Sequence, residues 1–458
     1  MRTRRLQITA ERKPRYSSVM KPSIISLVFL SASFSAGAQD RRYPDLDGYV
    51  TRVASASDFD VNGVRISCNE KTLSEKPVAN TEPRAAKEIA GTQGCPSPMP
   101  YIGEPMTIYG AMKKKEHTLM ATLIVASPIR PGEISGSAVI DALPGGNSFG
   151  THSDELLVRA DGYAIRINAQ TAMRWSGGLR GAVDVKAGDW IEYKGSPAKD
   201  GNYFAQKARI FPVVVGKGES KLRAKSDFDP SAVSDDAKQN LLRASIIGFD
   251  PKRFPPYKDA AMQARVERIG ERLIPRWNQE MPDSNPAKIH FRFQVVDAKW
   301  FHDAWTLPSG VILISHQVVE RLENDDQLAT VLADNIACAL ERQDYRVKPA
   351  AQAATGAMFG ADVVDVFVPF AGPAIQAATI GGAAEILKHQ RDQSGRVSLG
   401  LLKDAGYDIR QAPLAWWRLE TLKDRSVTAL GMPDRAAYLY KVIGENSGGG
   451  AELLETKP

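Results

Sequence analysis

The feature that most restricts the fold is a repeat in the first half of the chain. Gly103-Glu104-Pro105-Met106-Thr107-Ile108-Tyr109 is echoed by Gly188-Asp189-Trp190-Ile191-Glu192-Tyr193, and the leading glycines are 85 residues apart (188 − 103). Asn62-Gly63-Val64-Arg65-Ile66 is echoed by Asp161-Gly162-Tyr163-Ala164-Ile165-Arg166-Ile167, and Pro128 by Pro212. From Gly48 to Pro212, short alternating runs are punctuated by Gly, Pro, Asp and Asn, the pattern of short strands. A period of this length predicts two copies of one β module, over residues 39–130 and 131–215, of the OB-like barrel kind rather than a solenoid. Such barrels often bind oligonucleotides or oligosaccharides. Here the aromatic residues are few: Tyr109 in one copy, Trp190 and Tyr193 in the other. They read as packing residues, with Trp190 on the opposite strand face from Ile191 and Tyr193.

Charge excludes a nucleic-acid partner. The chain of 458 residues carries a formal +6, from 59 bases and 53 acids. Residues 1–38 hold seven of those bases and one of the acids, which leaves 52 of each in the remainder. The basic surface that phosphate binding requires is therefore missing after residue 38.

The first 38 residues read as a secretory signal peptide. Lys21 precedes the apolar run Ile24-Ile25-Ser26-Leu27-Val28-Phe29-Leu30, and Ala36-Gly37-Ala38 offers a small-residue cleavage site. A start at Met20 gives a leader of ordinary length, and the competing reading is a membrane anchor. Cleavage after Ala38 sends the protein to the periplasm or outside the cell. Export allows a disulfide, and Cys68 and Cys95 are the expected pair, with Cys338 left over in a helical pattern. The alternative is two unpaired small apolar residues.

Residues 216–245 are polar and breaker-rich and read as a linker. Beyond it the pattern turns helical. Residues 259–282 have helical periodicity, 289–296 alternate as a strand, and a turn at Leu307-Pro308-Ser309-Gly310 leads to a strand at Val311–Ile314. Asn324-Asp325-Asp326 caps a helix running to Gln343. Leu328, Val331, Leu332, Ile336 and Leu340 form its apolar stripe, with Asp334, Cys338 and Glu341 on the other side.

Two blocks here carry a family resemblance. One is Asp303-Ala304-Trp305-Thr306-Leu307-Pro308-Ser309-Gly310-Val311-Ile312-Leu313-Ile314, continued by Asn324-Asp325-Asp326-Gln327-Leu328-Ala329-Thr330-Val331-Leu332-Ala333. The other runs from Gly395-Arg396-Val397 to Asp404-Ala405-Gly406-Tyr407-Asp408. Together, over about 260–425, they resemble the M forty-eight family of zinc metalloendopeptidases, which includes CAAX-prenyl endopeptidases, HtpX and BepA-like proteases. The resemblance implies a helix bearing His-Glu-x-x-His, in which both histidines bind zinc and the Glu activates water. It also implies a Glu from a downstream helix as third ligand. In this chain the matching positions hold Asp334 and Cys338 for the histidines, Asn335 for the base, and Gln393 for the third ligand. Asp334 and Cys338 are zinc-competent residue types at i, i+4, whereas an amide is no base and Gln393 is a poor ligand. His389 and Asp392 are fallback ligands. The plain alternative is a solvated polar helix face needing no metal.

The expected architecture is α+β: two small β-barrel-like modules followed by an α-rich, zincin-like metallopeptidase domain over 246–445, with a disordered tail over 446–458. The expected function is that of an exported pseudopeptidase without a cofactor, binding an envelope protein or peptide in a substrate-like groove. The rival is an active metalloendopeptidase holding zinc through substitute ligands. A third reading makes the β modules the functional part, as an oligosaccharide or peptide binder. The Ala/Gly-rich stretch 350–384 reads as two proline-broken helices or as a hairpin touching a membrane surface. Trp416 and Trp417 read as core anchors, and His117, His152, His290, His302 and His316 as structural or solvated.

Overall fold

The computed structural model describes residues 45–75, 92–113, 115–127, 131–144, 155–198, 201–227, 254–346, 383–423 and 432–448. The leader expected over 1–38, nearly all of 350–384, His152 and the chain beyond 448 lie outside the described residues. Within them, no helix is long and apolar enough to cross a membrane.

Two closed barrels build the first half. In the first, β1 (Leu46–Ser55) pairs antiparallel with β2 (Asp58–Val61), which pairs with β3 (Val64–Ser67). On its other side β1 pairs with β6 (Pro105–Lys113), and β6 with β7 (Thr118–Ala126). A parallel β3–β7 ladder closes the ring, and β4 (Leu73–Glu75) with β5 (Thr92–Gln93) extends it. In the second barrel, β8 (Ile134–Ala142), β9 (Leu156–Ala160), β10 (Tyr163–Ile167), β12 (Trp190–Pro197) and β13 (Tyr203–Phe211) repeat that order, closed by a parallel β10–β13 ladder. β11 (Ala172–Trp175) runs parallel to β13, as β4 does to β7. Closure removes the open edges that would invite aggregation.

The repeat extends to single hydrogen bonds. Asn69 N–H donates to Thr72 Oγ1, which donates to the Ala121 carbonyl at 2.9 Å; Asn168, Thr171 and Ala205 repeat this, with 2.8 Å for the last bond. Each barrel breaks register before a glycine, at Tyr109/Gly110 and Lys194/Gly195. The Asn62-Gly63 and Asp161-Gly162 turns place both residues at positive φ, the conformation that tight hairpins favour. Cys68 and Cys95 are joined by a disulfide in the first barrel. Closing their 27-residue separation stabilises the fold by about 3–4 kcal/mol on the chain-entropy model.

The second half is helical around a small sheet. Its elements are α1 (Lys217–Ser226), α2 (Ala260–Leu273), α3 (Arg276–Glu280), β14 (Arg292–Val296), β15 (Ala304–Thr306), β16 (Val311–Ser315), α4 (His316–Arg321), α5 (Asp325–Leu340), α6 (Ala383–Asp404), α7 (Gln411–Lys423) and α8 (Asp434–Gly448). β16 lies between β14, parallel, and β15, antiparallel. Asn324 caps α5, its Oδ1 accepting from Gln327 N–H at 2.9 Å. Gly406, at positive φ, ends α6, where Tyr407 N–H donates to the Leu402 carbonyl. Asp408 N–H then reaches Asp326 Oδ1 at 2.9 Å, so the chain after α6 is tied to the start of α5.

Three expectations need correction. The linker expected over 216–245 begins with helix α1, because Glu219 is buried between Arg223 and Arg342 and Leu222 packs with Phe254, Phe301 and Trp305. α8 continues to Gly448, past the expected start of the tail at 446. The polar side of α5 is not solvated: Asp334, Asn335 and Glu341 are all buried.

The second barrel shares its packing with the helices. Trp190 and Val139 belong to the helical core, while Ile191 and Tyr193 face the barrel interior, as strand alternation requires. Asp161 and Arg396, 1% and 6% exposed, form an ion pair across this contact. Arg396 Nε donates to the Asp161 carbonyl at 3.0 Å, Tyr193 Oη donates to Asp161 Oδ2 at 2.6 Å, and the guanidinium also reaches Tyr438 on α8. Gly162 sits so close that a Cβ would lie 2.6 Å from Arg396 Cβ. Arg396→Leu should therefore destabilise the chain by about 3–5 kcal/mol, since it strands a buried carboxylate. Urea unfolding checks this, and a loss below about 1 kcal/mol would contradict it.

Candidate functional site

The motif positions converge between α5, α6 and α8. Asp334 and Cys338 lie one turn apart on α5. Asp334 Oδ1 accepts a hydrogen bond from Ser394 Oγ on α6 at 2.9 Å and is ion-paired with the Arg435 guanidinium of α8. The Arg435 guanidinium carbon lies over the Trp416 ring, 3.3 Å from its centroid. Burial first, and then the charge of Asp334, push the Cys338 thiol well above its ordinary pKa, so it stays protonated.

Asn335 has both side-chain atoms engaged. Its Nδ2 donates to the Val331 carbonyl at 2.9 Å, and its Oδ1 accepts from Thr306 Oγ1 on β15 at 2.9 Å. The same hydroxyl lies 2.8 Å from the Asn335 carbonyl oxygen. Gln393 is buried as well, and its Oε1 accepts from Arg346 at 3.2 Å while its Nε2 donates to the Ser137 carbonyl of β8 at 3.2 Å. The second barrel thus contacts a motif position directly. One turn beyond Cys338, Val139 N–H points at both oxygens of Glu341, 3.3 Å from each. Burial pushes that carboxyl well above the usual range, and nearby Asp161 and Asp141 push it further, against the pull of Arg346.

The fallback ligands are not brought in. His389 is exposed and Asp392 half-buried, whereas Gln393 and Ser394 are the α6 residues buried at the motif. Among the described residues no three His, Cys, Asp or Glu side chains converge as a metal ion would require. His316 stacks on Tyr257 with centroids 4.3 Å apart, and His117, His290 and His302 are exposed. A small cleft lies beside Cys338, lined by Glu219, Arg223, Pro308, Arg342, Gln343 and Asp344. Glu219 is ion-paired with both of its arginines. Burial pushes Asp344 up to about 7.

The donor set does not fit zinc. A guanidinium already occupies the carboxylate of Asp334, and the two amides are engaged within the protein. Sequence reasoning did not find Arg435, Ser394, Thr306, Ser137 or Arg346. Thr306 stands inside the first of the two blocks and Ser394 immediately before the second, and buried motif residues of mixed polarity demand partners of this kind. Compared with protein-family models and with curated proteins, the chain matches none of them.

The thiol should behave accordingly. With Cys68 and Cys95 bonded, Cys338 is the remaining cysteine. Native protein at pH 8 should react with a disulfide reagent at least about tenfold more slowly than a free model thiol, and unfolding should release one fast-reacting thiol per chain. Rapid reaction in the native state would contradict the raised pKa.

Proposed function

We propose that the chain is an exported pseudopeptidase: a protein with a zincin-like helical domain that binds a partner in the cell envelope and performs no zinc-dependent hydrolysis. The observation that carries this reading is Asn335. It stands where the resemblance to M forty-eight family metalloendopeptidases would put the general base, and Thr306 and the Val331 carbonyl hold its amide in place. An amide takes no proton from water at ordinary pH, and a positioned base contributes about 10²–10⁴ in rate. The engaged side chains of Asp334 and Gln393 support the same reading.

Two further observations support export and binding. The Cys68–Cys95 disulfide suits an oxidising compartment, in keeping with the leader read over 1–38. The helical sheet also has one edge to offer. The outer side of β14 is covered by residues 255–257, with Tyr257 N–H donating to the Val295 carbonyl and Asp297 N–H to the Pro255 carbonyl. β15 has a strand partner, among the described residues, only in β16. Ala304, Trp305 and Thr306 of β15 are all buried, so an extended peptide would add to it as a further strand only once the elements covering that edge move aside; this mode of recognition needs no catalysis.

The test is incubation of the purified protein with unfolded casein, with and without a chelator. The expected result is no cleavage above a blank in either case. Cleavage that the chelator abolishes would overturn the reading and restore the rival active enzyme.

A further inference from the structure

The carboxylate of the motif is paired with a cation that the protein itself supplies. Asp334 is the buried carboxylate facing α8, and Asn335, Gln393 and Ser394 are neutral residue types beside it. Arg435 brings one positive charge. Its guanidinium is bound to Asp334 on one side and lies over the Trp416 face on the other, an arrangement that favours a cation. Through Asp334 Oδ1 the contact also includes Ser394. A single positive group thereby joins α5, α6, α7 and α8, the cross-linking that a metal ion performs among the helices that ligate it. Arg435 Nε is buried with no acceptor. The side chain is thus held here with one donor unsatisfied, which fits a role set by its charge rather than by a full complement of hydrogen bonds.

We propose that Arg435 is the resident cation of this site: its guanidinium takes the place of a metal ion and bars a divalent cation from Asp334. The inference rests on the preceding reading of α5 and α6 as a displaced zinc motif. It adds that the four motif positions are not the whole of the site, because Arg435 comes to it from α8. A divalent ion entering beside a buried guanidinium meets like charge in a medium that screens poorly. Restoring ligands alone should then fail.

The experiment compares two variants of the full chain. The first carries Asp334→His, Asn335→Glu, Cys338→His and Gln393→Glu; the second adds Arg435→Ala. Each is incubated with zinc and dialysed, and its metal is measured by elemental analysis. The first should retain less than about one-tenth of a zinc per chain and the second close to one, with a chelator-sensitive rise in melting temperature only in the second. Equal zinc in both variants, whether full or nil, would overturn the inference. A double-mutant cycle on the natural pair covers the case of poor folding. Asp334→Asn and Arg435→Gln should each lower the unfolding equilibrium's preference for the native state at least about 30-fold, and the double variant should lose far less than the product. Independent, multiplying effects would overturn it. Zinc uptake by the first variant would remove only this inference. Chelator-sensitive proteolysis by the wild-type chain would remove the reading beneath it as well.

Discussion

Asp161 and Arg396 are both nearly sealed from water, and charges so placed are stable only while each has the other. The pair joins a hairpin tip of the second barrel to the middle of α6, and much of the molecule is arranged around it. Gly162 lets the hairpin approach the helix, Tyr193 and Tyr438 complete the hydrogen bonding, and Arg396 lies over the Tyr163 ring. Beside it, Arg159 spans Asp141 of the barrel and Asp404 of α6. The same docking brings β8 against Gln393, Arg346 and Glu341. The motif region is therefore closed on one side by a barrel strand, and Asp334, Asn335 and Gln393 each have partners within the protein. The first barrel docks separately, with Gly63 against Trp417 and Gly103 against the backbone of α8.

The barrels were legible in the sequence because their signals are local and occur twice. Asn62-Gly63 and Asp161-Gly162 mark tight hairpins, and the 85-residue spacing of Gly103 and Gly188 repeats in the bulges at Gly110 and Gly195. Helix α5 was legible through its Asn324 cap and its apolar stripe. What escaped depends on distant partners. Helix α1 is polar apart from Leu222 and Ala224 and is held by Glu219 meeting Arg342, far along the chain. Strand β15 has only three residues, too few for alternation to show. The polar face of α5 looks solvated by composition, yet Ser394, Arg435 and Val139 cover it from three other elements. No spacing rule links Arg435 to Asp334, so the contact that decides the chemistry of the site had no sequence signature.

On the reading proposed for this chain, the side chains of the motif region have changed jointly. Losing a base alone would leave a metal with nothing to activate water, and losing one ligand would leave an unsatisfied ion. Here an acid, an amide, a protonated thiol and a second amide each have a neighbour suited to that group. The most direct measurement is the zinc content of the wild-type chain, purified without chelators and then equilibrated with a slight excess of zinc. The account predicts far less than one zinc per chain after dialysis. One zinc per chain that disappears in Cys338→Ala would contradict it.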